Sequence, residues 1–164
     1  MFKITIKFIL FLLVSILFIS CPDPYFDMSS VHCELDKETY KKDEYIKLTC
    51  YGDFDEHDEV KAVYIHLHIY KEINDIYKHV SADDFTIKSY GNFVEDTNRP
   101  NVIGYLVYYI KKDEKLTEFN DSIILSISKG GNYRLEIRME GESDKYQYGG
   151  TKFFTFPITV TEQN

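Results

Sequence analysis

From residue 31 onward the chain alternates between apolar and polar positions. Val31, Cys33 and Leu35 fall on one side of an extended backbone, and His32, Glu34 and Asp36 on the other. Ile46, Leu48 and Cys50 repeat the pattern against Lys47, Thr49 and Tyr51. Ile65, Leu67 and Ile69 oppose Tyr64, His66, His68 and Tyr70; Ile123, Leu125 and Ile127 oppose Ser122, Ser126 and Ser128, with Ile124 as the exception. The cleanest run sets Tyr133, Leu135, Ile137 and Met139 against Arg134, Glu136, Arg138 and Glu140. Phe154, Phe156, Ile158 and Val160 against Thr155, Thr159 and Thr161 close the series. A period of two with one polar face marks a half-buried antiparallel strand. Residues 85–89 and 102–110 are weaker strand candidates, the second apolar on both faces and therefore either central or covered. Residues 72–80 read as a helical turn or a short edge strand. No segment has a convincing helical period, so the spacing predicts an all-β, two-sheet antiparallel sandwich of about 7–9 strands. Pro157, which cannot donate to a ladder, suits an edge or a bulge.

The same alternation suggests a pairing. If residues 31–38 and 45–51 form a hairpin around KETYKKDE, the register that sets Leu35 opposite Leu48 also sets Cys33 opposite Cys50. Directly opposed strand residues sit within disulfide reach. Cys33 and Cys50 are therefore expected as a disulfide, the other reading being two buried free thiols.

The first 21 residues break the pattern. Lys3 and Lys7 precede an unbroken apolar run from Phe8 to Ile19. As a helix that run covers about 18 Å, short of a hydrocarbon core of about 30 Å. It reads as a signal peptide rather than a membrane span. Leu17-Phe18-Ile19-Ser20-Cys21 resembles the lipobox of bacterial lipoproteins, in which a small residue precedes a Cys that is lipidated and becomes the new N-terminus; Phe18 is bulkier than the family's pattern. Three cysteines are an odd number, and a lipid on Cys21 leaves Cys33 and Cys50 as an even pair. The resemblance implies a signal helix over 1–20, a tether over 21–30 and a domain over 31–164, held to a membrane by the N-terminal lipid and located in the cell envelope, on its periplasmic face or at the cell surface. A plain secreted protein is the alternative.

With these strands in place, further resemblance is visible. LDKETYKKDEYIKLTC is similar to the first hairpin of bacterial immunoglobulin-like domains, and SIILSISKGGNYRLEIRM followed by TKFFTFPITVT resembles their closing E, F and G strands. Tyr133, in Gly-Asn-Tyr, falls where that family's tyrosine corner would place it, its hydroxyl bonding a nearby backbone group. Two departures stand out: no Trp marks strand C, and Cys33–Cys50 would join neighbouring strands rather than two sheets. Fibronectin type III-like sandwiches share these patterns.

Candidate chemistry is sparse. His66 and His68 share a strand face and could supply two metal ligands, but a zinc site wants three or four; solvent-facing histidines are the other reading. The acidic loop GDFDEHDEV lacks the ordered spacing of a calcium loop. No G-x-S-x-G, H-E-x-x-H, Walker A or G-x-G-x-x-G motif occurs, so neither catalysis nor a cofactor is expected. The net charge of −8 disfavours nucleic acid. The remaining signal is 14 Tyr, a residue both favoured in strands and enriched in binding surfaces. Tyr64 and Tyr70, with Tyr105, Tyr108 and Tyr109, are the candidates for an aromatic strip. These features point to a non-catalytic module for binding, adhesion or scaffolding with a protein or carbohydrate ligand, with metal binding as an alternative.

Overall fold

A computed structural model describes residues 27–80, 84–92, 94–95, 105–110, 115–146 and 149–162. The expected signal helix, Cys21 and residues 102–104 lie outside these. The chain forms β1 (His32–Leu35), β2 (Thr39–Lys41), β3 (Tyr45–Asp53), β4 (Val60–Ile73), β5 (Ile76–His79), β6 (Phe85–Ser89), β7 (Val94–Glu95), β8 (Tyr105–Ile110), β9 (Glu118–Ile127), β10 (Gly131–Ser143) and β11 (Thr151–Thr161), with one 3-10 turn at Glu56–Asp58. Two sheets result. One has the order β1-β3-β9-β6; the other runs β2-β11-β10-β4-β8-β7, with β5 also on β4. The architecture is the immunoglobulin-like sandwich. The eleven strands among the described residues exceed the expected 7–9 because β2, β5 and β7 are pieces of 3, 4 and 2 residues at the rims.

The inward positions of the alternating runs make the core. Ile46, Leu48, Ile65, Leu67, Ile123, Leu125, Leu135, Ile137 and Met139 are all at most 1% exposed. Each such side chain contributes roughly 1.5–3 kcal/mol through burial. Met28, in the stretch expected as tether, is also buried, so packing reaches back past residue 31.

β1 pairs with β3 in the register the alternation predicts, Cys33 opposite Cys50 and Leu35 opposite Leu48. The connection between them is not a simple hairpin turn. It crosses to the other sheet, where β2 lies parallel to β11 with Thr39 opposite Thr159. Tyr40 drives the crossing. It is 1% exposed, and its hydroxyl donates towards the Asp36 carboxylate at 2.8 Å and the Lys37 carbonyl at 2.6 Å.

Residues 72–80 resolve as the end of β4, a two-residue turn and the short edge strand β5. Asn74 and Asp75 both have positive φ, 53° and 60°, the twist of a two-residue hairpin turn, and Ile73 faces Ile76 across it. β8 and β5 share one side of β4, β8 against Ala62–Leu67 and β5 against Tyr70–Ile73, while β10 fills the other side. This makes β4 and β10 the centre of the larger sheet. Two glycines mark turns: Gly131 opens β10 at φ 143°, and Gly150 accepts a bond from Gly141.

Candidate binding face

Because Ile65, Leu67 and Ile69 point into the core, Tyr64, His66, His68 and Tyr70 must point out of the larger sheet. β10 obeys the same rule, so Arg134, Glu136, Arg138 and Glu140 share that outer face. The register aligns them in rows: Tyr64 beside Glu140, His66 beside Arg138, His68 beside Glu136, and Tyr70 beside Arg134. β11 extends the rows with Thr151, Phe153, Thr155 and Pro157. β5 adds His79 beside Tyr70 and Tyr77 beside Glu72.

Within this face the charges are paired and the rings are clustered. Arg138 bonds Glu140, and His66 Nε2 lies 3.1 Å from the other oxygen of the same carboxylate. Arg134 Nε sits 2.9 Å from Glu136 Oε1. The Arg134 guanidinium also lies over two rings, 4.4 Å from the Tyr77 centroid and 5.2 Å from that of Tyr70. Tyr70 packs on His79 at 4.5 Å, and His79 meets His68 edge-on at 5.5 Å. Tyr64 donates to Glu142 at 2.6 Å. Phe153 is 70% exposed.

His68 is half-buried in this face. Burial, followed by the neighbouring His79 and His66, holds its pKa below the usual imidazole value of 6.5. Its Nδ1 is buried and, among the described residues, has no hydrogen-bond partner. Burial, then the charge of Glu136, pushes the Tyr70 hydroxyl up.

His66 and His68 do share a face, but His66 is engaged by Glu140. Among the described residues no group of three or more potential ligands is placed to hold a metal. The acidic loop is used structurally: Asp55 caps the 3-10 turn, Asp58 accepts from Tyr146 at 3.1 Å, and Glu59 pairs with Lys115 at 2.9 Å. Tyr133 is fully buried and donates to the Lys129 carbonyl at 2.7 Å in the corner between β9 and β10. Burial, then Asp84 and Glu162, pushes its hydroxyl up to about 12. The Cys33 and Cys50 sulfurs face each other across β1 and β3, 2.7 Å apart. Pairing places the sulfurs together, whereas the bond needs an oxidant as well. Tyr105, Tyr108 and Tyr109 lie on β8, beside β4; their side chains lie outside the described residues, and so does Cys21.

No protein-family model matches the sequence, and no curated protein matches it. The fold does have solved relatives in shape. The chain is similar to a cohesin module from a Clostridium perfringens family 33 glycoside hydrolase, with TM-score 0.56 and 7% identity, over 82% of this chain and 98% of that one. It is similar to a chain of a type I cohesin–dockerin complex from Clostridium thermocellum, with TM-score 0.50 and 8% identity, over 80% and 99%. The Salmonella SafD adhesin matches with TM-score 0.50 and 8% identity, over 81% and 99%. At such identities the likeness is one of fold.

The residues that sequence alone did not single out are Arg134, Glu136, Arg138, Glu140, Tyr77 and His79. Alternation marked the first four as outward-facing. Only the long-range pairing of β10 with β4 reveals that they meet the histidines.

Proposed function

We propose that this chain is a lipid-anchored extracytoplasmic protein whose sandwich binds a protein partner, without catalysis, through the outer face of the larger sheet. The observation that carries the reading is Arg134 held over Tyr70 and Tyr77, on the same outer face as the exposed Phe153, which lies opposite Arg138. Arg and aromatic residues are the side chains enriched at interface hot spots, and pre-ordered ones lose little entropy on binding. The paired charges around them suit a partner that reads shape and hydrogen bonds. The leader with Ser20-Cys21 supports the anchor, and Cys21 is the residue that would carry lipid. Modules of similar fold named as cohesin, in complex with dockerin, and as adhesin agree in kind.

A photo-crosslinking residue placed at Tyr70 or Phe153, and in a parallel pair at Thr49 or Ser122, tests the face in cells. Adducts to one protein from the first pair alone are the expected result. Adducts from the second pair alone, or from neither, would refute the assignment. Labelling with a fatty acid tests the anchor: wild type takes label and Cys21→Ala does not, and an unlabelled wild type would end that part.

A further inference from the structure

The β1–β3 ladder holds a pair of sulfurs that the binding face does not use. Asp36 N donates to the Lys47 carbonyl at 3.2 Å, which makes 36 and 47 a hydrogen-bonded pair. Such pairs alternate along an antiparallel ladder, so Glu34 with Thr49 is the next one, and Cys33 with Cys50 falls on a non-hydrogen-bonded pair. That is the close kind, with Cα atoms about 4.5 Å apart and side chains drawn together on one face. It lies at the short end of the Cα separations, roughly 4.4–6.8 Å, that a disulfide accepts. Both residues are buried, at 8% and 0% exposure, and the Met139 sulfur lies 3.3 Å from Cys33 across the core.

We propose that Cys33 and Cys50 are an oxidation site that closes to a disulfide as the chain folds in the presence of a thiol–disulfide exchange partner, and that the bond fastens the chain's entry point to a central strand. The second half follows from topology. Among the described residues β1 is an edge strand held through four residue pairs to β3 alone, whereas β3 is held on both sides, by β1 and by β9 over nine pairs. Cys33 is the second residue of β1. A pull from the N-terminal side loads that end of β1 first, and a bond at Cys33 passes the load to β3. In the chemistry, two thiols give up two protons and two electrons; the incoming disulfide takes them and leaves as two thiols. The hydrogen bond to Cys33, then burial, pushes the Cys50 thiol well up. The folded, reduced Cys50 is therefore a poor nucleophile, and both cysteines are buried from an incoming disulfide, at 8% and 0% exposure, so closure belongs to the folding stage.

The cellular part rests on the extracytoplasmic reading; the sulfur chemistry does not, and two arms separate them. In the first, full-length chain is taken from cells, blocked with iodoacetamide in denaturant without reductant, and cut with trypsin. Cuts after Lys37 and Lys47 open the chain between the cysteines, so only the disulfide holds the two peptides together; the linked pair is the expected product. In the second, the reduced full-length chain is diluted from denaturant into glutathione with its disulfide. Linkage there is expected, and reduction then lowers the melting temperature of wild type but not of the Cys33→Ala/Cys50→Ala variant. Linkage in the second arm alone upholds the site and overturns the extracytoplasmic reading. Alkylated thiols at both positions in both arms overturn the site.

Discussion

The two sheets cover the same core but turn different surfaces to solvent. On the smaller sheet the outward positions are Lys47, Thr49 and Tyr51 of β3 beside Asn120, Ser122 and Ile124 of β9, with Thr49 and Ser122 sharing a hydroxyl bond of 3.1 Å. The hydroxyls at its centre satisfy each other, His32 and Tyr51 set their rings 5.4 Å apart at one end, and Tyr45 is exposed at the other. On the larger sheet the same geometric positions hold four charged residues of β10 locked to the histidines and tyrosines of β4 and β5. Strand formation does not require that difference, since either surface would permit the pairing. The excess of rings and guanidinium groups on one side is therefore informative about use, whereas the alternation common to both is informative only about fold.

Changes below the surface should treat the sheets alike. Leu48→Ala under the plain face and Leu135→Ala under the decorated one are each expected to lose about 2–5 kcal/mol in denaturant unfolding. Silence at one of them would break the picture of a shared core. Changes on the surface should then separate the sheets. Arg134→Ala is expected to weaken partner binding by about 2 kcal/mol, the scale of a hot spot, while Thr49→Ala and Ser122→Ala stay within about 0.5 kcal/mol. Titration of the crosslinked partner against the three variants measures this, and equal losses would erase the contrast. At the corner joining the sheets, Tyr133→Phe removes the bond to Lys129 and is expected to lower stability by about 1 kcal/mol.

The smallest expected effect is the pH response of His68. Its pKa is depressed in the folded chain, so just below the ordinary value of 6.5 the unfolded chain binds more protons than the folded one. Stability from this group is then present above about pH 6.5 and is lost as pH falls through that value. His68→Gln should flatten that part of the stability–pH curve in thermal melts from pH 7.5 to 5. An unchanged curve would show that the histidine is not desolvated as placed.

How far the sequence could be read depended on the range of the interaction. Runs of six or more alternating residues located β3, β4, β9, β10 and β11, because one buried face imposes its own period. Residues 85–89 were found at their observed bounds. Thr39–Lys41 is hidden because three residues cannot show a period and Lys41-Lys42-Asp43 resembles a turn; the burial of Tyr40 explains the crossing. β5 was ambiguous because its signal lies in the φ of Asn74 and Asp75 rather than in hydrophobicity. The histidines and tyrosines of the candidate face were visible, but their partners on β10 lie some 70 residues away, as with His66 and Glu140, and local patterning carries no information about which strand lies next to which.

One proline bears on how such molecules behave in a crowd. β11 is covered by β10 along one side, but on the other β2 reaches only Thr159–Thr161, and among the described residues no other strand pairs there. Thr159 N points to that side, donating to the Glu38 carbonyl at 2.9 Å. By strand alternation the N–H groups of Thr151, Phe153 and Thr155 point the same way, while Pro157, next in the row, has none. The apolar run TKFFTFP would otherwise be a template for edge-to-edge stacking into fibrils, and a gap in the donor row blunts it. Pro157→Thr restores the missing donor, and light scattering from concentrated samples should rise accordingly.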